Sequence, residues 1–361
     1  MNSPPDCTLT TSCFDLTRFH ANARPLAEAI DSMRTLLEIP CFLVIYTDVF
    51  CFPHIQHLRA PLNHYTVYVV QPFETTPYYP YLEKVKGNRA VSWPTRDVRT
   101  CAEGHILVCS KHMFVLQTME SNPFRTSRFG WIDANLGINC SKIAENFTPD
   151  MLLQCLRHAN EKFHIQILNV NDKKYLNTEY KHEFYQQYRW VVCGCFYTTG
   201  TTVGRRIFAR MDELFRFTTE QGFGHGEEML YLEILEEFYD DIERSYGDYG
   251  QTLNNYFCPL RNLRYVHDQI LKRYLNYGYY REALHCAQQV LAAIETNLSS
   301  CPPDLHFSFL FSSYLATYYA DRTNAQSAVD RLYKACHSNS ALLTELNKNR
   351  HFYEQQFVFA L

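Results

Sequence analysis

This sequence lacks the features that mark the common special classes of protein. Its longest apolar run, Cys41 to Tyr46, is six residues, against the ~20 that a membrane-crossing helix needs. The opening stretch MNSPPDCTLTTSCF has no basic segment leading into an apolar one, so no secretory signal is read. No block of basic residues occurs. Lys and Arg number 34 against 38 Asp and Glu, a formal charge of −4, which counts against sequence-independent nucleic-acid binding. There is no C-x-x-C, G-x-S-x-G elbow, P-loop or H-E-x-x-H, and Gly194, Gly200 and Gly204 do not make a dinucleotide fingerprint. Hydrolase, kinase and dehydrogenase readings lose ground accordingly. The expectation is a soluble, cytoplasmic protein with no transmembrane segment and no nucleic-acid partner. The sequons at Asn139, Asn146 and Asn297 are then chance matches.

Aromatic residues and cysteine are plentiful: 26 Tyr, 25 Phe and 14 Cys in 361 residues. The cysteines are scattered, with Cys193 and Cys195 the one close pair, whereas disulfide frameworks belong mostly to small secreted domains. They read as small buried apolar residues. A zinc site made of this pair and a histidine is the lesser alternative, because one spacing is not a ligand pattern.

A length of 361 residues allows about two domains. Over the first 250 residues short apolar runs alternate with amphipathic stretches. Strands are expected at Leu9 to Phe14, Cys41 to Thr47, Tyr65 to Val70, Arg128 to Ile132, Phe163 to Leu168 and Trp190 to Phe196. Helices are expected at Ala23 to Glu38, Ile106 to Met119, from Thr148-Pro149-Asp150 to about Ala159, at Val203 to Thr219, and from about Glu227 to Arg244. This alternation predicts an α/β class with a mainly parallel sheet. From about Arg261 only helices are read, at 265–274, 280–297, 305–320 and 325–338. The segment YGYYREALHCAQQVLAAI is similar to one helix pair of a tetratricopeptide-type repeat. The division expected is 1–260 and 261–361, the second a helical region packed on the first.

Ligands of such sheets bind beyond the carboxyl ends of the strands. Asp15, Asp48 and Asp133 each follow an apolar run. Asp133-Ala134-Asn135 places two oxygen side chains after a strand, an arrangement that suits a hard cation with diphosphate oxygens; a simple turn explains it equally. The stretch CGCFYTTG, containing Gly194, and the later GHGEEML bring Gly-containing loops near Glu227 and Glu228. Those carboxylates could act as a general base or grip a sugar hydroxyl, or merely complement a helix dipole. Arg89, Asp97 and Lys111 lie in a charged region around Trp93-Pro94 whose cations suit a diphosphate, or form a solvated face. His225 and His267 are candidate metal ligands, although a lone histidine is more often structural.

Taken in order, TSCFDLTRF, PCFLVIYTD, SKHMFVLQTMESNPFRTSRFGWIDANLGIN, CGCFYTTG, GHGEEMLYL and GDYGQTLNNY resemble the HtrL/YibB (WlaTC-like) family of glycosyltransferase-type proteins over about residues 8–300. The resemblance implies a GT-A-like Rossmann-type domain, a divalent Mn2+ or Mg2+ ion, a UDP- or GDP-sugar donor and a glycan or other hydroxyl acceptor. It implies that Asp133 and Asn135 hold the metal, that Asp48 meets the base or ribose, that Lys111 meets the diphosphate, and that Glu227-Glu228 stands where the family has an Asp-Glu pair. Trp93 and Trp131 flank the implied donor site. The rival expectation is a non-catalytic transferase-like scaffold that binds a glycan or protein partner through the helical C-terminal region.

Overall fold

The computed structural model describes residues 4–92, 100–136, 147–223, 226–257, 265–296 and 301–356, the side chains of the last helix only as far as Lys348. The chain forms two compact units. One comprises residues 1–168 and 174–257, the other 169–173 and 258–361.

The first unit is built on seven strands: β1 (Cys7–Cys13), β2 (Phe42–Thr47), β3 (Thr66–Val70), β4 (Arg128–Ile132), β5 (Phe163–Ile167), β6 (Val192–Gly200) and β7 (Ile242–Tyr246). Their spatial order is β3-β2-β1-β4-β6-β5-β7. The pairs β1/β2, β1/β4, β2/β3 and β5/β7 are parallel. β6 runs antiparallel to both β4 and β5. The expected α/β class with a mainly parallel sheet is therefore what forms, with one reversed strand near its middle.

The core explains the cysteine count. β1 reads CTLTTSC, and Cys7, Thr8, Leu9, Thr10 and Thr11 are all fully buried. Two of its hydroxyls are answered from behind the sheet, while Thr11 Oγ1 has no hydrogen-bond partner among the described residues. Thr8 shares a 2.6 Å hydrogen bond with Thr126, and Thr10 donates to Thr118. Cys7, Cys13, Cys41, Cys51, Cys155, Cys193 and Cys195 join Leu, Ile and Met side chains in one apolar cluster. No described cysteine is in a disulfide.

Helix α1 (Leu26–Leu37) leads toward β2, and α2 (Phe52–Arg59) follows it. Arg59 at the end of α2 is wholly buried. Its guanidinium donates to the carbonyls of Leu36, Leu37, Ile39 and Cys41 and to the Thr66 hydroxyl, so it satisfies the exposed end of α1. Helix α3 (Leu82–Val91) follows β3. Helix α4 (Ala102–Ser121) lies against β1 and β4. It is buried nearly all round, Glu103, His105, Ser110, Lys111 and His112 included, the mark of a helix surrounded by protein. Its N-terminus is capped by Cys101 Sγ, which accepts from Gly104 N, and it stops at Asn122, which adopts φ 34° and closes a loop onto Thr126.

The observed strands lie close to those expected, with one displacement: the Trp190 to Phe196 segment pairs from Val192 as far as Gly200, because Gly200 is opposite Arg128. The single helix expected from Glu227 to Arg244 does not form. The chain makes a 3-10 turn at Glu227–Leu230, a short helix α5 (Tyr231–Glu237), and then β7 in parallel register with β5. Phe238 leaves helical geometry (φ −111°, ψ 32°), and Arg244 donates to the carbonyls of Leu235, Tyr239 and Ile242 that the break exposes.

The second unit is helical: Tyr265–Asn276, Tyr280–Glu295, Pro303–Ala320, Ala325–Ser338 and Ser340–Gln356, the last without a counterpart in the sequence reading. Ala283, Ala287 and Ala293 are fully buried where neighbouring helices approach, and Pro303–Ala320 is apolar on most sides and touches four of the others. Among the described residues no helix is long and apolar enough to cross a membrane.

Candidate active site

β4 ends at Ile132 and the chain turns at Asp133, whose backbone N–H donates to the Cys195 carbonyl of β6. Because β6 runs the opposite way, its beginning lies beside the end of β4. Gly194, rather than the glycine that closes the strand, therefore stands at the carboxyl end of the parallel strands. Gly200 sits at the far end of β6, opposite Arg128, where an added Cβ would strike Glu161.

Four charged side chains from three segments converge there. Lys111, from the middle of α4, is 7% exposed. Its ammonium donates to Glu227 Oε1 at 2.5 Å and to the Gly194 carbonyl at 3.2 Å, and forms an ion pair with Asp133 Oδ1 at 3.0 Å. Glu228 Oε1 accepts from Gly194 N at 3.1 Å, and Glu228 Oε2 accepts from the Tyr188 hydroxyl at 3.2 Å. Trp131 Nε1 donates to Asp133 Oδ1 at 2.6 Å, with the indole 2% exposed.

Glycine is required at two points. A Cβ on Gly194 would lie 2.8 Å from Glu227 Oε1 and 3.2 Å from Glu228 Cγ, so the absence of a side chain makes room for both carboxylates. Gly226 adopts φ +119°, a conformation that disfavours any side chain, and this turn presents Glu227 and Glu228 to the strand.

The electrostatics follow from burial. Glu227 and Glu228 are 5% and 6% exposed. Desolvation pushes the Glu228 carboxyl up to about 8, with Glu227 adding to it. Desolvation also raises Glu227, against the opposing pull of Lys111. Burial alone would lower Lys111, but Asp133 and Glu227 outweigh it and hold the ammonium well above its ordinary value. Burial, then Glu228, raises Tyr188, which stays a neutral phenol that can donate. Three carboxylates face one ammonium, so with every group ionised the cluster carries two excess negative charges. That excess suits a further cation or a proton.

Of the residues singled out from sequence, Lys111, Trp131, Asp133, Gly194, Glu227 and Glu228 are brought together. Asn135 lies two residues beyond Asp133 in the turn, half-buried. Asp15 and Asp48 form a separate pair at the ends of β1 and β2. Asp48 accepts from the backbone N–H groups of Asp15, Phe50 and Cys51, while Asp15 caps the short turn after it through Thr17. Arg89, half-buried on α3, donates to Thr100, and burial lowers it to about 10. His267 is a fully buried side chain of the second unit. Asp97, Trp93 and His225 lie outside the described residues. The Cys193 and Cys195 thiols face each other and the Thr252 hydroxyl. Among the described residues no three His, Cys, Asp or Glu side chains are grouped as metal ligands. Tyr188 is the residue sequence reasoning did not find; an aromatic just before a strand carries no signal that it will reach a carboxylate forty residues later.

A family model described as "Bacterial protein of unknown function (HtrL_YibB)" matches residues 5–208. No curated protein matches the chain. Among solved structures, the apo crystal structure of mouse xyloside xylosyltransferase 1 is similar at a TM-score of 0.35 and 10% identity, over 66% of this chain and 84% of that one.

Proposed function

This chain belongs to the HtrL_YibB family, and we propose that it is a glycosyltransferase with a GT-A-like sheet domain, moving a sugar from a UDP- or GDP-type donor to a glycan or other hydroxyl acceptor. The observation that carries the reading is the meeting of Lys111, Asp133, Glu227 and Glu228 around Gly194 at the carboxyl end of β4, where ligands of open α/β sheets bind.

The residues fit a divalent ion. Asp133 directs Oδ1 to Lys111 and Trp131, while Oδ2 has no partner among the described residues, and Asn135 adds an amide oxygen on the same turn. Mg2+ and Mn2+ commonly take one or two carboxylates and complete their shell with phosphate and water. Bound there, the ion would supply charge neutralisation for the leaving diphosphate.

The chain's own residues do the rest. Lys111 fixes Asp133 and Glu227 and keeps their charges from repelling a phosphate. Trp131 orients Asp133. Glu228, with its proton equilibrium near neutrality, is matched to accepting the acceptor hydroxyl's proton as that oxygen attacks the anomeric carbon.

The test is thermal stability of the full chain with UDP- and GDP-sugars, with and without Mn2+. A ligand held only by the native state at a hundred times its Kd stabilises by about 2.7 kcal/mol, so one donor class should raise Tm in a metal-dependent way. Asp133→Ala should abolish that rise and any sugar transfer while leaving the unliganded Tm within a few degrees. Absence of metal-dependent stabilisation by every nucleotide sugar would sink the reading.

A further inference from the structure

The three tryptophans of this sequence are placed very differently. Trp131 is buried beside Asp133, Trp93 lies outside the described residues, and Trp190 is 54% exposed. A single exposed aromatic is ordinarily unremarked surface. Trp190 differs in what stands behind it. Its indole meets the Tyr188 ring edge to face, with centroids 5.2 Å apart at 71°. That same Tyr188 donates its hydroxyl to Glu228 Oε2. One tyrosine ring thus separates an open indole from the buried carboxylate.

The segment is held in this pose. Tyr188 rests on Gly226, where an added Cβ would lie 3.1 Å from its hydroxyl. Arg189 donates to the Phe184 carbonyl and stacks over Tyr175 at 4.8 Å. Val191 is buried next to the first residue of β6. With both neighbours anchored, the outward direction of Trp190 is set by the backbone. The edge-to-face contact covers at most one face of the indole.

We infer that Trp190 and Tyr188 form the acceptor subsite of this centre, a platform on which a pyranose ring of a glycan stacks while its hydroxyls face the Glu228 side. The chemistry favours a sugar over a protein. A pyranose presents an apolar, slightly positive C–H face to the negative face of an indole, and ringed hydroxyls to hydrogen-bonding groups at the rim. The residues preceding Trp190 in sequence, Gln186 and Gln187, are exposed amides. A protein partner would call instead for a contiguous apolar patch.

The inference rests on the glycosyltransferase reading, and the two can fail separately. Lactose, N-acetyllactosamine, chitotriose and maltotriose are titrated at millimolar concentration against the full chain. Tryptophan fluorescence and saturation-transfer NMR are the readouts, alongside the nucleotide-sugar thermal shifts. At least one saccharide should perturb the parent's fluorescence. Trp190→Ala should weaken its binding about tenfold or more, the scale of one lost aromatic contact, and Trp190→Phe should retain most of it. Neither substitution should alter the nucleotide-dependent rise in Tm. Undiminished saccharide binding by Trp190→Ala overturns the inference. So does nucleotide binding without saccharide binding, which leaves the transferase reading standing. Loss of self-association in Trp190→Ala, with no saccharide effect, would assign the surface to a second copy of the chain instead. Saccharide binding without any nucleotide effect keeps the platform and removes the transferase.

Discussion

Glu228 titrates in a place where its charge is costly. Its carboxyl is pushed up from an ordinary value near 4.5 to about 8, first by burial and then by Glu227. The folded state therefore prefers the neutral form. The stabilisation this gives is complete below about pH 4.5 and is lost progressively as pH rises to about 8, because over that window the native state holds more protons than the unfolded chain. The parent should lose Tm between about pH 6 and pH 8.5, with each kcal/mol worth about 2–4 °C in a domain of this size. Glu228→Gln keeps the shape and removes the titration, so its Tm should fall less over the same range. Parallel curves for the two proteins would show that Glu228 does not titrate there. The identity of the residues was partly legible: Asp133, Lys111 and the paired glutamates stand in recognisable stretches. Their mutual arrangement was not, because it depends on the reversal of β6, and nothing in CGCFYTTG encodes strand direction.

At the scale of elements, legibility followed burial. Phe42–Thr47 and Phe163–Ile167 are buried on nearly every residue, so they read as unbroken apolar or β-prone runs. β7 reads IERSY and, among the described residues, pairs with β5 alone, so its polar residues face other tasks: Glu243 accepts from Asn160, and Arg244 caps the broken helix before it. A strand written that way looks like the tail of an amphipathic helix. Arg59 is another such case, since nothing about an arginine at a helix end announces that it will be fully enclosed. Arg59→Met keeps the bulk but strands four carbonyls and the Thr66 hydroxyl. The expected cost is roughly 3–5 kcal/mol, read from urea midpoints of the full chain, with Arg59→Lys intermediate because an ammonium cannot reproduce the fork. A loss below about 1 kcal/mol would mean that water replaces the guanidinium at those carbonyls.

Across the whole molecule, cysteine serves as filler of the interior. Eleven of the twelve described cysteines are buried and none is paired; Cys301 is the half-buried one. Burial raises the Cys155 and Cys109 thiols well above their ordinary value, and these residues should be inert as nucleophiles. Brief native labelling with a small maleimide, mapped by mass spectrometry, should modify Cys301 and spare the eleven buried cysteines. Denaturant should expose all 14 of the sequence. Rapid native modification of Cys155 or Cys193 would contradict the packing. Reductant should leave Tm unchanged.

The reversed β6 also governs when the sheet can be finished. β3, β2, β1 and β4 are mutually adjacent and complete by Ile132, so a growing chain can assemble that half as soon as it emerges. β5 is made next but has no neighbour in that half, and it must wait about twenty-five residues for β6 to come between it and β4. Until then β4 and β5 both present unpaired edges, the condition under which chains stick to one another. Lys111 and Asp133 belong to the early half, and Gly194, Glu227 and Glu228 to the late one. A partly synthesised or half-folded chain therefore has a Lys111–Asp133 ion pair on one side, two glutamates without their ammonium on the other, and no centre, and the joining of the halves at β6 is the step at which chemistry becomes available.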